Sequence, residues 1–232
     1  MWKNPKVVIK KNLLFFELEY WQFLLVRHNL DVMHIENNVC DSLIGTLLNI
    51  PGKTKDGIKA RQDLAAMGIR EGLTPKIDKR RTYLPPAAYT LTKDERKEVC
   101  SCLFNVKVPD GYSSNIRSLV DMKSCILTGM KSHDCHILMQ HLLPVAIRSV
   151  LPRRVRDVIT RLCLFFKSLC CKVIYPLKLR KLRDEIVEVL CELEKYFPLP
   201  FFDIMTNLTV HLVRELRYCG PAYLRWMYPF ER

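Results

Sequence analysis

Leu151-Pro152-Arg153-Arg154-Val155-Arg156-Asp157-Val158-Ile159-Thr160-Arg161-Leu162-Cys163-Leu164-Phe165-Phe166-Lys167-Ser168-Leu169 decides how this chain folds. Val155, Val158, Ile159, Leu162, Phe165, Phe166, Leu169 and, further on, Val173 recur at steps of three and four, which places them on one side of a helix. The other side carries Arg153, Arg154, Arg156, Arg161, Lys167 and Lys172. Pro152 suits a first helical turn, where the amide it lacks has no partner to lose. Tyr175-Pro176 interrupts the pattern, and Leu179, Leu182, Ile186, Leu190, Leu193 and Phe197 begin a second apolar stripe. So short a break predicts two antiparallel helices packed as a hairpin. Lys178, Arg180, Lys181 and Arg183 carry the basic tract around the junction. A further helix over residues 202–218 is expected to bury Ile204, Met205, Leu208, Leu212 and Leu216 and to stop at Gly220-Pro221.

Upstream of the hairpin, helices are expected over residues 37–49, halted by Pro51-Gly52, and over 56–67, ended at Gly68. Residues 70–91 mix Gly72, Pro75, Pro85 and Pro86 with the basic triplet Lys79-Arg80-Arg81, the composition of an extended connector. Thr92 and Glu95 stand three apart as a capping box, so a helix should run on to about Leu103. Gly111 to Ser114 is turn chemistry, and 116–122 reads as a short helix. The next helix opens near His133, with Asp134 at its positive end, and runs toward Ile147. Pro144 removes a donor and clashes one turn back, which predicts a bend near Gln140. Alternation from Val7 to Phe16 reads as a short strand. The fold class is therefore mainly α, a bundle of amphipathic antiparallel helices with at most a short strand near the N-terminus. The expected divisions are 1–69, 70–91 and 92–232.

Lys and Arg outnumber Asp and Glu by 37 to 24 across 232 residues, a formal charge of +13, and 49% of the chain is hydrophobic. That balance suits a folded protein with a polyanionic partner such as DNA. Ten cysteines occur without Cys-x-x-Cys spacing. Reduced thiols that pack as small hydrophobes account for them better than a secreted disulfide scaffold. Glu17 and Glu19 interrupt the apolar run that follows the early lysines, which argues against a signal peptide or a membrane span.

The densest supply of ligating groups is His28-Asn29-Leu30-Asp31-Val32-Met33-His34-Ile35-Glu36-Asn37-Asn38-Val39-Cys40. On a helix, Asp31, His34 and Asn38 share one side, so a carboxylate and an imidazole could address one target. His133 and His136 could face together as well. A zinc site there would need a ligand from another helix, with His34 or His211 the candidates, and polar packing is the favoured reading over zinc. Cys135 beside these histidines is a weaker candidate for a nucleophile. For His211, a hydrogen bond to Glu215 one turn on is expected to win over a metal role.

The stretch from His28 to Cys40, continued as Asp41-Ser42-Leu43-Ile44-Gly45-Thr46-Leu47-Leu48-Asn49-Ile50-Pro51-Gly52-Lys53-Thr54-Lys55-Asp56-Gly57, closely resembles the later part of plant En/Spm (CACTA-like) transposases. The resemblance resumes in Arg81-Thr82-Tyr83-Leu84-Pro85-Pro86-Ala87, in Gly111-Tyr112-Ser113-Ser114-Asn115-Ile116 and in Lys131-Ser132-His133-Asp134-Cys135-His136-Ile137-Leu138-Met139-Gln140. It closes with Phe201-Phe202-Asp203-Ile204-Met205 and Arg225-Trp226-Met227-Tyr228-Pro229-Phe230-Glu231-Arg232. What it implies is a ribonuclease-H-like core in which three acids hold divalent Mg or Mn, with an all-helical insertion before the third acid. Asp31 and His34 match the family's Asp-x-x-His element, and Glu231 is the candidate third acid. The first two acids would lie upstream of Met1, so residues 1–69 would be the tail of a catalytic region and the chain a fragment that cannot close a metal site alone. Family members often carry a histidine where this chain has Asn207, which weakens any metal pairing with His211.

Three functional expectations follow. The first is a transposase-derived helical region, nuclear, that binds DNA through Arg153, Arg154, Arg156, Arg161, Lys178, Arg180 and Lys181 and lends Glu231 to a metal-dependent strand-transfer core. The second is a non-catalytic helical module for self-association or for association with other transposase subunits, with no membrane role. The third is a remnant of a decayed transposon.

Overall fold

The computed structural model describes residues 17–77, 82–107 and 115–226, and its architecture is mainly α. Helix α1 (Val32–Leu47) lies at the centre. Asp31 caps it by accepting the His34 amide at 3.0 Å. Val32, Ile35, Val39, Leu43, Ile44 and Leu47 are all buried, which leaves His34 exposed and Asn37, Asn38 and Asp41 half-buried along one polar edge. A helix so largely covered belongs inside a bundle, and α1 packs on α4 (Ser132–Ile137) and on α8 (Ile204–Cys219). It begins five residues before the expected start, because Asp31 caps as an N-terminal residue should.

After α1 the chain folds back on itself. Asn49 and Gly52 take left-handed backbone conformations (φ of 52° and 78°), and the Ile50 amide donates to the Gly45 carbonyl at 2.8 Å. The return brings Lys53 so close that a Cβ on Gly45 would lie 2.7 Å from the Lys53 Cβ and 2.8 Å from its carbonyl. Only glycine allows that approach.

Helix α2 (Ile58–Ala66) is fastened by a buried ion pair, in which the Arg61 Nε and Nη2 donate to Asp56 at 2.5 and 2.7 Å. Just beyond it, Arg70 donates to the carbonyls of Glu194, Tyr196 and Phe197 at the end of α7 (Pro176–Glu194). A cation there complements the negative end of the helix dipole. Tyr89 stacks on Phe197 with ring centres 4.7 Å apart. Helix α3 (Lys93–Asn105) opens on the expected capping box, with the Thr92 amide donating to Glu95 at 2.8 Å and the Glu95 amide to Thr92 at 3.3 Å.

Four two-residue strands form two antiparallel pairs, β1 (Lys76–Ile77) with β2 (Thr82–Tyr83) and β3 (Val120–Asp121) with β4 (Ile126–Leu127). Neither pair was foreseen from the sequence. Asp121 stabilises the second turn by accepting from the Lys123 amide and the Ser124 hydroxyl. Residues 116–119 form a 3₁₀ turn rather than the longer helix expected. The strand expected over Val7 to Phe16, the triplet Lys79-Arg80-Arg81 and the turn Gly111 to Ser114 lie outside the described residues.

The expected bend at Gln140 takes the form of a π-helical turn, Leu138–Leu142, between α4 and α5 (Leu143–Ala146). Pro144 cannot donate to the Gln140 carbonyl and its ring crowds that atom, so the helix widens there.

Helix α6 (Arg153–Leu169) buries Val155, Val158, Ile159, Leu162, Phe165, Phe166 and Leu169, as its spacing predicts. Each such burial contributes about 1.5–3 kcal/mol against exposure. Six residues later α7 returns against it, and α8 packs on α7 in turn. Arg161 spans the α6–α7 seam, reaching Glu188 and Glu192 at 3.0 Å and Glu185 at 3.9 Å. Leu212 and Leu216 of α8 are buried as expected, whereas Ile204 is 69% exposed because it occupies the first position after the Asp203 cap. One hydrophobic core runs from Val32 to Ala222. No helix among the described residues is long and apolar enough to cross a membrane.

Candidate functional site

Between α7 and α8 runs an open groove of about 840 Å³. Its base is Leu179, Val210 and Val213, with Pro176 and Leu177 exposed beside it, while Arg180 and Arg183 line one wall and His211, Arg214 and Arg217 the other. No carboxylate is among the lining residues. The spacing explains the arrangement: 180 and 183 are three apart on α7, and 211, 214 and 217 are three apart on α8, so each set projects along one edge of its helix. Arg183 also reaches Asp184 at 3.1 Å, and Arg214 lies over the Tyr218 ring at 5.7 Å. The groove is thus a cationic trough with an apolar base.

Of the basic residues singled out in the sequence, Arg180 stands in this groove. Lys178 and Lys181 are exposed on the same helix, Lys178 over the Tyr175 ring at 5.2 Å. Arg153 and Arg154 are exposed at the start of α6, with Arg153 3.6 Å from Asp157. Arg156 turns back to the Arg148 carbonyl. Arg161 is engaged by three glutamates, which takes it out of the basic surface. Sequence reading missed that Arg214 and Arg217 join the tract, although their three-residue step from His211 was a usable signal.

The four histidines proposed for zinc do not assemble with one another. His34 is exposed, with its ring Nε2 3.2 Å from the Asn38 amide nitrogen. His133 pairs with Asp134 at 3.2 Å. His211 lines the groove, and Glu215, its expected partner, turns inward instead, where both carboxylate oxygens accept the Leu30 amide at 3.0 and 2.9 Å.

His136 has different company. Its Nδ1 lies 2.7 Å from Oε2 of Glu36, a carboxylate only 1% exposed on α1. Gln140, on the π-helical turn, places its Nε2 3.2 Å from Glu36 Oε1 and 2.9 Å from His136 Nδ1. The Cys170 thiol at the end of α6 completes the group: ligating atoms of Glu36, His136 and Cys170 all lie within 4.8 Å of one another. Burial and the nearby Glu36 charge push this thiol well above its ordinary range, and the same two causes act on Cys163 behind it. Cys40 and Cys135 meet on the same α1–α4 seam, where the hydrogen bond between them and burial both raise the Cys40 pKa. The Trp226 ring meets His136 edge-on at 5.4 Å.

Asp31 is exposed, and with Asn29, Leu30, Val32, Ala222, Arg225 and Trp226 it lines a small cleft. The first described helix and the last described turn therefore meet. Glu231 lies outside the described residues. Asp31 belongs to no convergent set of three metal-type ligands among the described residues, so those around it do not by themselves make a site for a divalent Mg or Mn ion.

Neither a curated protein nor a solved structure matches the chain. A family model described as a domain of unknown function (DUF4218) matches residues 169–232, the segment that contains α7, α8 and both walls of the basic groove.

Proposed function

We propose that this chain is a transposase-derived helical region of a DNA-transposon protein, whose α7–α8 groove engages the phosphate backbone of DNA in the nucleus. The observation that carries the reading is the trough itself, arginines on both walls and no carboxylate in its lining, within the DUF4218 segment. That domain is known from transposase-like plant proteins, and the En/Spm resemblance of the longer motifs agrees with it.

Helix electrostatics add a second support. Neither α6 nor α7 has an acid in its first turn, yet Arg153, Arg154 and Arg156 open one helix, and Lys178, Arg180 and Lys181 fall in the opening turns of the other. Cations near a helix N-terminus are unfavourable by about 0.3–1 kcal/mol each when exposed. A polyanionic ligand offsets that cost, and phosphates also find positive helix ends favourable. Glu231 is proposed as the third acid of a metal-dependent strand-transfer core.

The test is salt-dependent binding of a short duplex DNA. Four phosphate contacts give log Kobs a slope of about −3.6 against log salt, and removing three of them reduces the slope by about 2.7. Arg180→Ala, Arg214→Ala and Arg217→Ala combined are expected to produce that change with helical content intact. Affinity indifferent to salt, or to the triple substitution, sinks the reading.

A second reading, self-association or docking to another transposase subunit, is favoured by Val173, Tyr175 and Leu177, which are 69%, 61% and 95% exposed around the α6–α7 junction. Sedimentation of the chain with Leu177→Asp separates the two: this reading predicts a shift to monomer, the first predicts no change in mass.

A further inference from the structure

We propose that Glu36, His136 and Cys170 form a binding site for a single zinc-class divalent cation at the heart of the bundle. The three ligands come from α1, α4 and the end of α6, three elements separated by about a hundred and then some thirty residues of chain, and their ligating atoms converge to within 4.8 Å of each other. Zinc bonds of about 2.0–2.3 Å set tetrahedral ligands roughly 3.3–3.8 Å apart. Against that range the 2.7 Å contact between His136 and Glu36 is shorter and the 4.8 Å limit of the group is wider, so the side chains must shift to seat the ion.

Hydrogen-bond accounting points the same way. Nδ1 of His136 faces Glu36 Oε2 at 2.7 Å and Gln140 Nε2 at 2.9 Å. A protonated Nδ1 satisfies the carboxylate and then opposes the amide N–H group; an unprotonated Nδ1 accepts from the amide and then opposes the carboxylate lone pair. Nδ1 therefore serves only one of the two at a time, and when it serves Glu36 the amide turns to Glu36 Oε1 and the Cys170 thiol. A cation between the carboxylate and the ring turns both into ligands and leaves the amide to Glu36 Oε1, 3.2 Å away.

Charge is the third argument. Glu36 is 1% exposed, and its ion-pair partner among the described residues is His136 rather than a lysine or arginine. A carboxylate so placed requires a positive neighbour. One carboxylate, one imidazole and one thiolate make a mixed set that suits zinc and not the oxygen-seeking Mg or Ca. Three protein ligands leave a fourth position, beside Gln140 and the π-helical turn, a kind of irregularity that recurs at functional sites. This site shares no residue with the basic groove, and its test is independent of DNA.

The whole chain, stripped of metal by a chelator, is titrated with zinc by calorimetry and, in parallel, with cobalt(II) under absorption spectroscopy. One equivalent of zinc is expected, and the cobalt form is expected to show a thiolate charge-transfer band together with tetrahedral visible bands. Cys170→Ser removes the charge-transfer band, and Glu36→Gln or His136→Gln weakens zinc by more than the roughly 100-fold that loss of a supporting neighbour can reach. Gln140→Leu weakens it by about 10–100-fold, and Cys191→Ser, on the exposed face of α7, changes nothing. Absence of a stoichiometric zinc equivalent in the wild-type chain overturns the proposal without recourse to any variant. So does a cobalt band that survives Cys170→Ser, since the ion then sits on other sulfurs.

Discussion

Replacing Asp56 with asparagine should be the most damaging conservative change available in this fold. Arg61 is 1% exposed and holds Asp56, itself 12% exposed, through two hydrogen bonds at 2.5 and 2.7 Å. Its remaining Nη1 is buried with no protein partner. Burial works against the guanidinium charge as the largest single cause, but the hydrogen bond to Asp56 together with the Tyr89 and Asp56 charges outweighs it, so the Arg61 pKa rises on balance. Asp56 also accepts from the Tyr89 hydroxyl; asparagine keeps the size and one acceptor for it, but leaves the arginine as an uncompensated buried charge. Breaking one partner of a buried pair costs about 3–5 kcal/mol. For a chain of this length, 1 kcal/mol moves the midpoint by about 2–4 °C, so Asp56→Asn should melt roughly 6–20 °C early. The double variant Asp56→Asn with Arg61→Met removes the stranded charge and should recover at least half of that loss, because neutral replacement of a buried pair is often tolerated. Calorimetric melts of the wild type and the two variants decide the matter. An Asp56→Asn protein that melts within about 2 °C of wild type would refute the claim that this pair fastens α2, and a double variant as weak as the single would show that packing, not charge, is at stake.

Gly45→Ala reverses the usual rule: a glycine within a helix normally gains about 1 kcal/mol on becoming alanine, but here the added carbon meets the Lys53 backbone at 2.8 Å. A loss of about 1–3 kcal/mol is expected in denaturant melts. Thr92→Ala removes one half of the α3 capping box and should cost about 0.5–2 kcal/mol, with amide exchange accelerating first at residues 93–96. Glu215→Gln keeps an acceptor for the Leu30 amide but removes the charge that faces Arg225 at 3.7 Å. Trp226 fluorescence should shift to the red as the last turn loosens, while an unchanged spectrum would show that burial of Ala222 in the core holds that turn without the Glu215 charge.

The parts of the fold that could be read from the chain are those whose causes are local. Apolar residues at steps of three and four fixed the buried face of α6, Thr92 and Glu95 fixed the start of α3, and Pro144 fixed where the helix after His133 distorts. The π form of that distortion was not legible, since it depends on how neighbouring helices hold the strained turn. The Glu36 cluster was missed for another reason. Asp31, His34 and Asn38 made an obvious polar edge and drew attention to the face of α1 that turns out to be exposed, and Glu36 was given no part in it. Its position three residues before Val39 and four before Cys40, inside the apolar stripe, was the overlooked sign that it points inward. No sequence spacing could have supplied Cys170, because that thiol arrives through the packing of α6. The groove was half legible: the α7 cations were seen, and their partners on α8 required knowing that the two helices are neighbours.

The two proposed sites are separate in chemistry but joined through the α6–α7 connection. Cys170 closes α6 and Pro176 opens α7, so a ligand bond at Cys170 fixes the place from which Arg180 and Arg183 project. From the other side, Trp226 rests edge-on against His136, and Lys172 lies over the Tyr223 ring at 4.9 Å, so the last turn touches both the cluster and that connection. Were both proposals to hold, occupancy of the buried site would change DNA affinity without touching DNA. Linkage then demands reciprocity: DNA must tighten zinc binding by the same factor by which zinc tightens DNA binding. Neutralising Arg214 and Arg217 would lower DNA affinity while leaving zinc affinity in the absence of DNA unchanged, whereas Cys170→Ser would alter both. That asymmetry distinguishes a structural ion that sets the groove from a groove that needs no ion, because in the second case Cys170→Ser would leave the salt dependence of DNA binding where it was.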